Sequence, residues 1–217
     1  MHIYDILSKL PLFQGMSSEE LHEVVTKLKF SFLTLRNRQC LVDKGHNSRG
    51  LLFLIDGELE KLSVSSDGTY TVTEHVTAPY LIEPDKLFGF RQRYSHRYTA
   101  VKRSHAIFVK KDDVHFLANQ YVVFRLNIFN MLSTRVQRYV DDTWEAAPAD
   151  IDSRVLLFLS RHTSEDNPET VFRITMCQLA QEIGSSRLEV SRALSRLQEQ
   201  GRVRLQRGII RYMKGVQ

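Results

Sequence analysis

The sequence predicts an α+β chain: an N-terminal antiparallel β-barrel of jelly-roll type flanked by helices, then one long helix, then a C-terminal winged helix-turn-helix. Three observations predict it. Short β-rich runs punctuated by glycine turns fill residues 30–109, apolar residues then recur at steps of three and four from Val114, and capped, arginine-rich helices end the chain. A length of 217 residues admits one large domain or two small ones. With 42% hydrophobic and 25% charged residues, the composition excludes collagenous, disordered and low-complexity classes. Cys40 and Cys177 are too few for a disulfide framework and lack zinc-site spacing, so a reducing compartment fits. No basic segment followed by an apolar run opens the chain, and no apolar stretch reaches the roughly 18–20 residues that span a bilayer. The expectation is a cytoplasmic protein without a membrane partner.

Residues 3–28 read as helical through Ile6, Leu7, Leu10, Leu21, Val24, Val25 and Leu28, with Ser17-Ser18-Glu19-Glu20 starting a second helix. The period then changes to that of strands: Phe30–Leu35, Leu51–Ile55, Leu59–Val64 and Tyr70–Val76, separated by turns at Gly45, Asp56-Gly57 and Asp67-Gly68, and continuing through Tyr98–Val109. From Val114 to about residue 142 one helix is expected. Its Val114, Leu117, Tyr121, Phe124, Ile128 and Met131 form a heptad seam, and Phe116, Val123, Leu126 and Phe129 form a second apolar face. Two apolar faces require two neighbours, so one face covers the barrel and the other pairs with a second copy; Leu117, Tyr121, Phe124, Ile128, Met131 and Leu132 are assigned to that pairing. A single core helix in a monomer is the alternative. Residues 143–149 break the pattern and read as a hinge, dividing an effector-sensing barrel domain (1–113) and the pairing helix (114–142) from a helical unit over 150–217 that opens with Ile151–His162.

The charge is uneven. The chain carries a net +5, yet Gly184–Gln217 holds eight basic residues against Glu189 and Glu199, a net +6, leaving −1 for the rest. A basic tract on a near-neutral body suggests a polyanionic partner. Within it, Leu179, Ala180 and Ile183 give a short helix its buried side, Gly184 suits a turn needing positive φ, and Ser185-Ser186 cap a second helix. Val190, Ala193, Leu194 and Leu197 of that helix point inward, while Arg187, Glu189, Ser191, Arg192, Ser195 and Arg196 point outward. Arg202–Tyr212 reads as a hairpin turning at Arg207-Gly208, with Arg204 and Arg207 making a basic wing. Such geometry lays the second helix in the DNA major groove; a solvated charged helix in an unrelated domain is the competing reading.

Leu179-Ala-Gln-Glu-Ile-Gly-Ser-Ser-Arg-Leu-Glu-Val-Ser-Arg-Ala-Leu-Ser-Arg-Leu197, preceded by a barrel and a long helix with Gly45 and Gly57 at the barrel turns, resembles the Crp/Fnr family of bacterial transcription regulators. The resemblance implies a cyclic-nucleotide-binding-like barrel that senses a small effector, a homodimer, a winged helix reading a palindromic operator, and RNA polymerase as a partner. It places Ser186, Arg187 and Arg192 on phosphate- and base-contacting positions. The family usually has a base-reading glutamate directly after the residue matched by Arg187; here Leu188 stands there and Glu189 follows.

The family's cyclic-AMP receptor holds its ligand with a Gly-Glu pair and, eleven residues past the Gly, an Arg-Ser pair. Counting without gaps from Gly57 sets Leu81-Ile82-Glu83-Pro84 on the first and Tyr94-Ser95 on the second, with Tyr139-Val140 on the long helix facing the base. A gapped alternative uses Phe88-Gly89-Phe90 with Arg97, again without a carboxylate. Cyclic AMP is therefore not expected to bind in the familiar way. Lys86–Lys111 nevertheless holds eight basic residues and no acid, so Glu83, Phe88, Arg93, Tyr94, Ser95, Arg97 and Tyr139 are the candidate effector pocket; a solvated face paired with acids elsewhere is the plain alternative. An iron–sulfur cluster lacks its roughly four cysteines. His75, His96 and His105, in or near the barrel, keep haem open, and with it a haem- or redox-sensing regulator of the same fold. No cofactor, metal ligand set or catalytic residue is identified. Gly45–Gly50 imitates a phosphate loop, but Leu51-Leu52 replaces the required Lys-Ser/Thr, so an enzyme is not expected. A ligand-binding or interaction protein whose winged helix no longer binds DNA is the remaining alternative.

Overall fold

The computed structural model describes residues 3–144, 148–164 and 167–215. Residues 145–147, at the centre of the expected hinge, lie outside the described residues. The chain forms two compact units: Met1–Leu59 with Val76–Thr143, and Glu60–His75 with Trp144–Gln217.

In the first unit, helices α1 (Ile3–Leu7) and α2 (Ser18–Lys27) flank a short 3₁₀ turn at Pro11–Phe13. Ser17 caps α2 as expected: its hydroxyl accepts from Glu20 N–H while the Glu20 carboxylate accepts from Ser17 N–H, satisfying two donors that the helix start would otherwise orphan. In chain order the strands up to residue 110 are β1 (Ser31–Leu35), β2 (Cys40–Val42), β3 (Gly50–Asp56), β4 (Glu58–Val64), β5 (Thr71–Thr77), β6 (Tyr80–Ile82), β7 (Arg97–Ala100) and β8 (Ser104–Lys110). They do not close into the expected barrel. One antiparallel sheet runs β1-β8-β3-β6, and β2 pairs with β7. Residues 60–75, which carry most of β4 and β5, belong to the second unit and pair within it. At the β3–β4 turn Gly57 has φ +97°, and a Cβ there would stand 2.2 Å from Ser104 Oγ, which accepts from Glu58 N–H at 3.1 Å; only glycine fits.

The expected single helix is two, α3 (Lys111–Gln120) and α4 (Val122–Trp144), separated by Tyr121 in extended conformation. On either side of this break Leu117 and Phe124 enter the same core, where the Phe13 ring meets Phe53 and Phe124 in tilted contacts at 6.0 and 5.1 Å. This overturns the assignment of the pairing seam, while Phe116 and Val123 of the other face pack on the same core. Leu117, Tyr121 and Phe124 are buried within their own unit, Ile128 and Met131 pack against that core, and Leu132 is half-buried, so this seam is the cover of the sheet. Asn127 fixes the orientation, its side-chain amide donating to the carbonyls of Leu12 and Gln14. The exposed apolar stripe of α4 is instead Val122, Leu126, Phe129, Val136 and Val140, with Tyr139 beside it, each about half or more exposed.

The second unit contains α5 (Ile151–Arg161), β9 (Glu169–Arg173), α6 (Met176–Glu182), α7 (Arg187–Glu199), β10 (Val203–Gln206) and β11 (Ile209–Met213). Its sheet runs β10-β11-β9-β5-β4, so the hairpin of residues 60–75 extends the sheet of the wing. Tyr70 and Val72 of that hairpin are buried with Val155, Phe158, Leu159 and Phe172. Sequence reading assigned β9 to no element and missed its pairing with β5, although Glu-Thr-Val-Phe-Arg alternates inward and outward as a strand should.

Candidate nucleic-acid interface

Helix α7 starts where its sequence demands. Gly184 has φ +61°, Ser186 caps with its hydroxyl accepting from Glu189 N–H at 3.2 Å, and Glu189 returns its carboxylate to Ser186 N–H at 3.0 Å. α6 is capped the same way by Thr175 and Gln178. Arg154 of α5 braces the turn between them, donating to the carbonyls of Ile183 and Gly184. Val190, Ala193, Leu194 and Leu197 are buried, and α5 and α6 both pack on this face. At about 100° per residue, the side opposite that buried face is centred on Leu188 and Arg192, with Ser195 next to them. All three are exposed.

Two expected DNA contacts have other work. The hydroxyls of Ser186 and Ser185 and the Ser186 N–H hold the Glu189 carboxyl down at about 2, so it is committed as a carboxylate to the cap. Arg196 forks onto Asp152 of α5 at 2.8 and 2.5 Å. Both therefore position α7 rather than face outward unpartnered. Arg187 and Arg192 are exposed and, among the described residues, held by no ion pair or hydrogen bond; Ser191 is half-exposed, its carbonyl accepting from the Ser195 hydroxyl. The hairpin turns at Arg207-Gly208 as read, Gly208 having φ +71°, and Arg204 and Arg207 are exposed on it. Leu188, 60% exposed, was left off the expected DNA contacts, although the resemblance sets it where the family usually has a base-reading glutamate.

The candidate effector residues are only partly brought together. Glu83 is buried, adopts a left-handed backbone with φ +34°, and its two carboxylate oxygens accept from Ser95 N–H at 2.7 Å and His96 N–H at 3.0 Å. Burial pushes its carboxyl up, against the lowering effect of those two hydrogen bonds. Tyr94 is buried beside this loop, and burial raises its hydroxyl too. Phe88 lies elsewhere, edge-on to His115 with Lys111 over its ring; Arg97 pairs with Asp43, Arg93 is exposed, and Tyr139 is exposed on α4. Acids answer part of the basic run, Lys86 meeting Asp85 and Lys102 meeting Glu58 besides the Arg97–Asp43 pair. A groove of about 350 Å³ lies between Ile6, Leu10 and the turns at Gly57 and Pro79, and none of the candidate effector residues lines it. His75 is exposed, and His105 sits 3.3 Å from the Thr34 hydroxyl. No cluster of three metal-binding side chains occurs among the described residues, and no described helix is long and apolar enough to cross a membrane.

Comparison with known proteins agrees with this geometry. The model of the Crp-like helix-turn-helix domain matches residues 153–214. A search of curated protein sequences returns no match. Among solved structures, the Thermus thermophilus catabolite activator protein is similar at a TM-score of 0.55 and 21% identity, over 95% of this chain and 94% of that one. The c-di-GMP responsive global regulator CLP of Xanthomonas campestris is similar at 0.52 and 14%, over 92% and 100%. The sensor domain of the transcriptional regulator DNR from Pseudomonas aeruginosa is similar at 0.55 and 17%, over 69% of this chain and 96% of that one. Residues 153–214 are thus a Crp-like helix-turn-helix domain, and the chain that carries it has the architecture of the Crp/Fnr-type transcription regulators.

Proposed function

We propose that the chain is a homodimeric, sequence-specific DNA-binding regulator in which α7 enters the major groove and the β10–β11 hairpin grips the flanking backbone. The observation that carries this reading is the outward face of α7, where Arg187, Leu188, Arg192 and Ser195 are exposed while Glu189 and Arg196 fix the helix from behind. Arg192 has the planar fork that meets guanine O6 and N7 together, a contact contributing about 1–3 kcal/mol of discrimination. Arg204 and Arg207 supply sequence-independent phosphate attraction. The stripe Val122, Leu126, Phe129, Val136 and Val140 has steps of four, three, seven and four, a heptad seam once Ser133 is counted, and pairs α4 with its copy so that two recognition helices reach successive major grooves about 34 Å apart. RNA polymerase is the further partner that the resemblance implies.

Control by cyclic AMP in the familiar way does not fit the loop. The backbone N–H of Ser95, which the resemblance sets at the phosphate position, already donates to the Glu83 carboxylate, and an anion brought there would meet a like charge. The effector, where one acts, is of another kind. Fluorescence anisotropy with genomic and random duplexes across salt concentrations tests the DNA reading: sequence preference and a steep salt slope are expected, and equal, salt-insensitive binding to both would overturn it. Isothermal titration tests the second point, and tight cyclic-AMP binding would overturn it.

A further inference from the structure

We infer that Leu188 makes this protein a reader of a thymine methyl group, fixing a T·A pair in each half of its operator. The inference rests on the DNA-reading face proposed above and specifies one of its contacts. On a surface of arginines and serines, Leu188 is a large apolar side chain 60% exposed to water, and its own unit packs nothing over it. It occupies the second position of α7, the N-terminal end that reaches base edges in a helix-turn-helix. It also stands one turn before Arg192 on the same outward line, about 6 Å along the axis.

The chemistry of the groove then restricts what such a side chain recognises. Donors and acceptors of guanine, adenine and cytosine offer a leucine nothing, and seating it against them leaves their polar edges unpaired. Only thymine presents an apolar group, its C5 methyl, in the major groove. The neighbouring acid cannot compete for the position, because Glu189 is bound by Ser185 and Ser186 in the cap. With base pairs spaced about 3.4 Å apart, the thymine falls within about two pairs of the guanine read by Arg192.

The test changes the DNA before it changes the protein. Selection from a random duplex pool with the full chain yields the preferred half-site, and each thymine in it is then replaced by uracil, which pairs identically but lacks the methyl. Loss of one buried methyl group weakens binding about fourfold, and this is expected at one thymine per half-site, measured by anisotropy. Leu188→Ala should bind the thymine and uracil duplexes alike while retaining the guanine preference set by Arg192. The substitution lies on the exposed face, and thermal melts of the two proteins should superimpose. A half-site in which no thymine-to-uracil exchange matters, or an equal methyl effect in Leu188→Ala, overturns the inference and leaves the DNA-reading proposal standing. A selection that returns no preferred sequence overturns both.

Discussion

Removing one carboxylate from the hairpin of residues 60–75 should markedly destabilise the second unit's sheet. Glu74 is 1% exposed; its oxygens accept from Lys61 Nζ at 2.7 Å and from Ser164 N–H at 2.6 Å. Burial by itself pushes the Glu74 carboxyl up, yet the Lys61 ammonium and the Ser164 hydrogen bonds outweigh it and hold the group below its ordinary range. Glu74→Ala takes the countercharge from the Lys61 ammonium, whose side chain is only 14% exposed and keeps the Ser164 hydroxyl at 3.3 Å, and leaves Ser164 N–H without its acceptor. Breaking a buried pair from one side costs about 3–5 kcal/mol, and the residual exposure of Lys61 sets the lower end, about 3 kcal/mol. For a unit of this size that is a fall in Tm of about 12–24 °C. Replacing both partners, Lys61→Met with Glu74→Leu, removes the stranded charge and should restore most of the loss. Glu169→Ala is the control: it breaks the Arg211–Glu169 pair in the same sheet, but both side chains are more than a third exposed, so the cost stays under about 1 kcal/mol. Circular dichroism melts, with hydrogen exchange at residues 71–74 and 169–173, read the effect. Because the folded carboxyl is lowered, this stabilisation is complete above the unfolded carboxylate range and is lost as pH falls through the folded value. A Glu74→Ala melt no worse than the Glu169→Ala control would refute the reasoning.

Arg192→Ala should weaken operator binding by about tenfold or more and relax specificity at one base pair, while Arg207→Ala should weaken specific and random DNA alike and reduce the salt slope by about one; anisotropy across salt separates them. Ser186→Ala removes the cap of α7 and should cost about 1 kcal/mol in thermal unfolding. The Glu189 half of that cap, with its carboxyl at about 2, persists on acidification until the pH approaches that value, so chemical shifts of Ser186 N–H should titrate there and not near 4. Phe129→Glu sets a charge in the exposed stripe of α4 and should yield monomers by sedimentation without changing the melt of the chain's own core, which Phe129 does not enter.

The sequence made the C-terminal elements legible because their signals are local. Caps, turn glycines and the inward spacing of Val190, Ala193, Leu194 and Leu197 lie within a few residues of what they determine. The two faces of residues 114–140 were visible too, but not which one the chain would keep for itself. That choice depends on Phe13 and Phe53 and on the Leu12 and Gln14 carbonyls that take the Asn127 amide, all of them more than sixty residues before α4. The same limitation hid the pairing of β5 with β9, separated by nearly a hundred residues.

The DNA-facing list contracts for a related reason. Periodicity places a side chain outside a helix but is silent on whether another element is waiting for it. Asp152 claims Arg196 from a helix 44 residues earlier, and two serines claim Glu189 from within the turn. What remains outward is a short strip, Arg187, Leu188, Arg192 and Ser195, held rigid by the residues it lost. That trade favours recognition: discrimination between bases depends on side chains held in one register, and a helix braced by Arg196, Arg154 and its own cap presents the arginine fork of Arg192 and the apolar tip of Leu188 with less conformational freedom to lose on binding.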